Sequence, residues 1–128
     1  MSEPHWLTLG NVQRIHDKVV AETGGAQGLR DVALLESALA RPLNLHAYGE
    51  SDLFELAASY AEGIARNHAF VDGNKRTAWT SAEVFLRRHG VAVGMATDDA
   101  HVEMMEKLAQ GDIDRETFSQ HLREWAVT

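Results

Sequence analysis

The sequence predicts an all-α domain, a compact bundle of about six helices with at most one short extended segment. Three observations carry this expectation. Apolar residues recur every three or four positions in six separate stretches, which is the helical period. Thr or Asp precedes most of these stretches, where a side-chain oxygen can cap free N–H groups, and Gly or Pro follows several of them. Finally, 128 residues with 45% hydrophobic content suit one domain, 1–128, with a core of its own.

The elements follow in order. Thr8 caps a first helix to about Glu22, with Val12, Ile15, Val19 and Val20 on one stripe. The adjacent glycines of TGGAQGLRD end it. Asp31 caps a second helix with Leu34, Leu35, Ala38 and Leu39 inward. Pro42 is expected to stop that helix after about Ala40, so PLNLHAYGES, residues 42–51, reads as a partly apolar loop. Asp52, with Glu55 three residues on, resembles a capping box and opens a third helix carrying Phe54, Ala57, Ala58, Ala61, Ile64 and Ala65. So many alanines imply a central helix held closely against its neighbours. A fourth helix starts near Gly73 or Asn74 and runs to about Arg88, with Ala78, Ala82, Phe85 and Leu86 inward. HGVAVG, residues 89–94, is the extended piece. Thr97 or Asp98 caps a fifth helix with Val102, Met105 and Leu108 inward. Asp114 caps a sixth with Phe118, Leu122 and Trp125, and Ile113 is placed to staple onto Phe118.

Composition narrows the function. With no cysteine, disulfides and thiol chemistry are excluded. No apolar run approaches the roughly 18 residues of a membrane span, and MSEPHWLTLG has no leader pattern, so a cytoplasmic protein without a membrane partner is expected. Net charge is −7, from 12 basic and 19 acidic residues, which argues against direct nucleic-acid binding. Yet Arg66, Lys75, Arg76, Arg87 and Arg88 face only Asp72 and Glu83 between positions 66 and 88. A cationic island on an acidic chain suggests an anionic ligand, although a solvated helix face gives the same count.

The densest chemistry lies in HAFVDGNKR, His68–Arg76. Its second half opens the fourth helix, whose free N–H groups and partial positive charge make an anion site. Gly73 permits close backbone approach and a positive φ. Asn74 can orient the turn through side-chain-to-backbone bonds. Lys75 and Arg76 stand where the helix dipole disfavours cations, a placement that makes sense if phosphate sits there. Asp72 is the carboxylate able to hold a divalent cation on a polyphosphate. His68 can take a proton near neutral pH, and Phe70 would point into the core. Each residue also has a plain reading: a helix-end histidine, a turn aspartate, a solvated basic pair. His68 and Asp72 alone are too few ligands for a transition metal.

HAFVDGNKR resembles the signature of the Fic/Doc family, His-x-Phe-x-Asp/Glu-Gly/Ala-Asn-Gly/Lys-Arg, matching all seven specified positions. GLRDVALLESALARP, Gly28–Pro42, is similar to the upstream segment of Doc-type members. The resemblance covers Gly24 to His89 most directly and extends to a Fic/Doc-like domain over the whole chain. It implies a death-on-curing toxin of a toxin–antitoxin pair, a kinase moving the γ-phosphate of ATP to a hydroxyl of elongation factor Tu and halting translation. Carried over by position, His68 is the base and Asp72 holds Mg²⁺. Lys75 and Arg76 bind phosphates, Gly73 and Asn74 form the anion loop, and Arg66 joins the nucleotide contacts. Lys75 stands where adenylylating relatives have a glycine that makes room for the α and β phosphates. Val71 and Gly73 depart from the asparagine and alanine common in Doc-type loops, and Gly73 is the Fic-like choice. The family's self-inhibitory motif has no full match, so the resemblance implies a Phd-like antitoxin whose C-terminal helix fills a groove. Nucleotidyl transfer to a protein hydroxyl, and a non-catalytic nucleotide- or partner-binding module, are the alternatives.

Overall fold

The computed structural model describes residues 3–94 and 98–127. Six helices form an all-α bundle: α1 (Leu9–Thr23), α2 (Val32–Ala47), α3 (Leu53–Asn67), α4 (Asn74–Arg88), α5 (Asp98–Gln110) and α6 (Arg115–Trp125). α3 is central, as its alanines predict, and packs against α2, α4, α5 and α6. Leu56, Ala57, Ala58, Tyr60, Ala61, Ile64 and Ala65 are all buried, and Glu55, Glu62 and Arg66 share the one remaining polar stripe of the helix. Leu35, Phe85, Leu86, Leu108, Phe118 and Leu122 close the same core. Each such side chain, fully buried, contributes about 1.5–3 kcal/mol.

Four helix starts carry side-chain caps. Thr8 and Asn11 make a reciprocal capping box at α1. Asp31 accepts from the Leu34 N–H, Asp52 from Phe54, and Asp114 from Thr117. The Asp52–Glu55 box is not formed, because Glu55 turns across the bundle to Arg115 at 3.1 Å and to the Ser119 hydroxyl. Glu50 bonds the Asp52 N–H in its place, at 3.1 Å. The fifth helix's expected caps, Thr97 and the Asp98 side chain, lie outside the described residues.

Three expectations are corrected. Pro42 does not stop the second helix; it lies buried inside α2, which continues to Ala47. Proline cannot donate to the carbonyl four residues back, at Ala38, and its ring crowds that carbonyl. α3 comes close to that carbonyl at Gly63, where an added Cβ would lie 3.0 Å from the oxygen. Tertiary packing thus outweighs the local penalty. HGVAVG builds no strand among the described residues, only an isolated bridge between Val93 and Ala126. Val102 does not face inward: it is 54% exposed, on the rim of a groove.

Candidate active site

The site is built where α3 hands over to α4. α3 ends at His68 in the left-handed conformation, φ 51° and ψ 47°, the one non-glycine residue with positive φ among the described residues. Such a backbone persists only when its surroundings hold it, and here residues 28–31 do. The Arg30 guanidinium donates to the His68 carbonyl. The Ala69 carbonyl accepts from the N–H groups of Arg30 and Asp31 at 2.8 and 3.0 Å, and Val71 donates to the Gly28 carbonyl at 3.1 Å. The segment similar to Doc-type members is therefore the brace of the loop.

Inside the loop, the Asn74 side chain accepts from the Phe70 N–H and donates to the Phe70 carbonyl, both at 3.0 Å. This is the turn-orienting role its amide allows. Phe70 is buried, as expected, and stacks on the His16 ring with centroids 3.8 Å apart and planes 8° from parallel. Gly73 adopts φ 75°, and an added Cβ would meet the Val20 and Val19 methyls at 3.3 and 3.5 Å. The glycine thus serves close packing on α1 as well as the left-handed turn.

The Asp72 carboxylate is anchored by two backbone N–H groups, Gly73 on Oδ1 at 2.9 Å and Ala26 on Oδ2 at 3.3 Å. Each oxygen retains a lone pair. Gly25 lies beneath it, where an added Cβ would fall 2.8 Å from Oδ2. A single carboxylate with free lone pairs, among groups fit to bind phosphate, suits Mg²⁺, which takes one or two carboxylates and completes its shell with waters and phosphates. No cluster of three or more His, Cys, Asp or Glu suited to a metal occurs among the described residues, so an all-protein metal cage is not built here.

His68, Asp72, Gly73, Asn74, Lys75 and Arg76 line one cavity of about 350 Å³. α4 opens at Gly73 with no side-chain cap and no acid in its first turn, so its N-terminal partial charge faces an open space. Lys75 lies 4.0 Å from Glu106, and both are about half exposed; Arg76 makes no ion pair among the described residues. Arg66 is not part of this group. Its guanidinium donates to the carbonyls of Leu108 and Ile113 at 2.9 and 3.1 Å and pairs with Glu62 at 3.1 Å, tying α3 to the end of α5 and the turn after it. Nearness in sequence misleads here, because a helix points Arg66 away from the turn that follows it.

The sequence reading missed His16, whose Nε2 lies 2.7 Å from the Asp72 carbonyl, and the bracing by Ala26 and Arg30. A wider groove of about 900 Å³ adjoins the site through Lys75 and Arg76 and runs between α1, α4 and α5. Ile15, Val19, Trp79 and Met105 are among its apolar lining residues, and Arg14 and Lys18 add charge along α1.

The Fic/DOC family matches residues 6–86, which include the whole loop and its brace. Over 109 residues the chain is 39% identical to Toxin Doc of Mycolicibacterium smegmatis, covering 81% of this chain and 82% of that one. Over 110 residues it is 38% identical to Protein kinase doc of Escherichia phage P1, covering 85% and 86%. A signature complete in sequence, folded as one braced loop and shared along most of the length of such relatives, makes this chain a member of the Fic/DOC family.

Proposed function

We propose that this protein is the toxin of a toxin–antitoxin pair, a Doc-type kinase that phosphorylates a hydroxyl of elongation factor Tu with ATP. The observation that carries this reading is the uncapped start of α4 with Lys75 and Arg76 over it, in a motif otherwise complete. Its likeness to a toxin and to a protein kinase supports the same direction.

In this mechanism His68 takes the proton of the target hydroxyl as its oxygen bonds to the γ-phosphorus. The bond from that phosphorus to the β–γ bridging oxygen breaks, and ADP departs. Lys75, Arg76 and the first-turn N–H groups of α4 bind the phosphate oxygens and stabilise the charge that moves toward the leaving group. Mg²⁺, held through Asp72, would neutralise polyphosphate charge. Asn74 and the brace from residues 28–31 fix the loop, so catalysis rests on positioning rather than a covalent intermediate. The groove between α1, α4 and α5 suits an amphipathic antitoxin helix, apolar on its floor and charged at its rim.

Gly73, the Fic-like residue in the loop, favours a second reading, transfer of AMP or another nucleotide to the hydroxyl. Purified protein with ATP, Mg²⁺ and elongation factor Tu should add the mass of one phosphate to the factor. A nucleotide-sized gain would support the second reading, and an unmodified factor would sink this target.

A further inference from the structure

His16 lies on α1, 56 residues before Asp72, and is 98% buried although its side chain is polar. Its ring covers Phe70 face to face, and its Nε2 lies 2.7 Å from the Asp72 carbonyl oxygen. A carbonyl only accepts, so Nε2 carries the proton and donates. We propose that His16 is a positioning residue that locks the orientation of the Asp72–Gly73 peptide, on the reading of this loop as a phosphate site given above.

A trans peptide is planar, with its C=O and N–H pointing in opposite directions. Fixing the Asp72 carbonyl toward α1 therefore fixes the Gly73 N–H on the opposite side, where it bonds Asp72 Oδ1 at 2.9 Å. Apart from that bond to an exposed side chain, the peptide without His16 could turn over. Glycine adopts positive and negative φ with little preference, so turns with glycine at this place exist in two forms related by a peptide flip. In the flipped form the carbonyl oxygen would face the cavity of His68, Lys75 and Arg76 and repel an anion there. The Asp72 carboxylate would also lose the N–H that holds Oδ1. Within the loop only the exposed Asp72 carboxylate favours the present form, because Asn74 bonds Phe70 rather than the Asp72–Gly73 peptide. His16 adds the hold from outside the loop, through one hydrogen bond made in a buried site.

Stacking and donation can be separated. His16→Phe keeps a flat ring against Phe70 and removes the donor. His16→Gln keeps an N–H at nearly the position of Nε2 and removes the ring. The Gly73 amide, followed by NMR in the protein without nucleotide, reports the peptide's orientation whatever the enzyme's reaction. His16→Phe should move the Gly73 resonance and raise its hydrogen exchange. It should lower kcat for transfer roughly tenfold or more, with KM for the protein substrate unchanged, and His16→Gln should restore most of both. Wild-type behaviour of His16→Phe, or equal loss in the two variants, overturns the proposal. If the wild-type protein transfers nothing, the kinase reading fails, while the Gly73 amide still decides the role of His16.

Discussion

Two helix starts in this molecule are opposites. α6 opens as stability demands: Asp114 caps the Thr117 N–H at 2.7 Å, and Glu116 places an acid in the first turn. α4 opens on a glycine that caps nothing, with Lys75 and Arg76 in its first turn. α1, α2 and α3 follow the pattern of α6, with Thr8, Asp31 and Asp52 as caps. Of the five starts that lie among the described residues, four use the ordinary solution and α4 withholds it. Local structure that forgoes available stabilisation while its surroundings hold it in place marks a candidate functional site. The surroundings here are His16, Arg30 and Asn74, all bonded to the loop that leads into α4.

The comparison can be tested from both sides. The largest effect should come from His68→Ala, which removes the proposed base beside the open start and leaves the helix untouched. Transfer should fall about 10²–10⁴-fold, growth arrest on expression should disappear, and thermal melting should stay unchanged. A fully toxic His68→Ala protein would remove His68 from the mechanism.

Arg76→Glu converts the start of α4 toward that of α6. An acid in the first turn is worth about 0.3–1 kcal/mol to an exposed helix, so melting should hold or rise slightly. Activity should nevertheless fall about 10²-fold or more, since the proposed phosphate ligand has become a repelling charge. Loss of stability together with activity would mean that Arg76 is structural.

Gly25→Ala acts on the Asp72 carboxylate. The added Cβ would lie 2.8 Å from Asp72 Oδ2, and a carboxylate can rotate away at small cost to the fold. About a tenfold loss of activity, relieved by raising Mg²⁺, is expected. Loss that no Mg²⁺ concentration relieves would separate Gly25 from the carboxylate.

The smallest effect belongs to the ordinary start. Asp114→Ala should lower the melting temperature by roughly a few degrees and leave transfer unaffected. The bond from the Thr117 N–H holds the Asp114 carboxyl below its usual range. A lowered folded pKa gives stability that is present above the unfolded value, about 3.9, and lost as pH falls through the folded one. Wild type and variant should therefore differ most near neutral pH and converge in strong acid. A gap that persists there would contradict the capping role.

Much of this site could be read in the sequence because nine consecutive residues supply it, and helix-start chemistry is local. The six helices were legible for the same reason, through the apolar period and the caps. What stayed hidden depends on tertiary approach. Pro42 reads as a stop unless it is known that α3 brings Gly63 against the Ala38 carbonyl. Glu55 reads as half of a capping box until Arg115 and Ser119 arrive from 60 and more residues away. Ala26 and Arg30 meet the loop only through folding. His16 left one trace, a polar residue four places after Val12 and three before Val19 on an otherwise apolar stripe. A buried polar side chain must find a partner, so that position alone could have raised the question of what it bonds.

The account turns on which phosphate of ATP faces His68, and label placement measures this most directly. The wild-type protein, with Mg²⁺ and elongation factor Tu, would be given ATP labelled at either the γ or the α phosphate. Label on the factor from γ-labelled ATP alone, lost in His68→Ala, is the predicted result. Label from α-labelled ATP would contradict it, making the open start of α4 a nucleotidyl-transfer site despite Lys75.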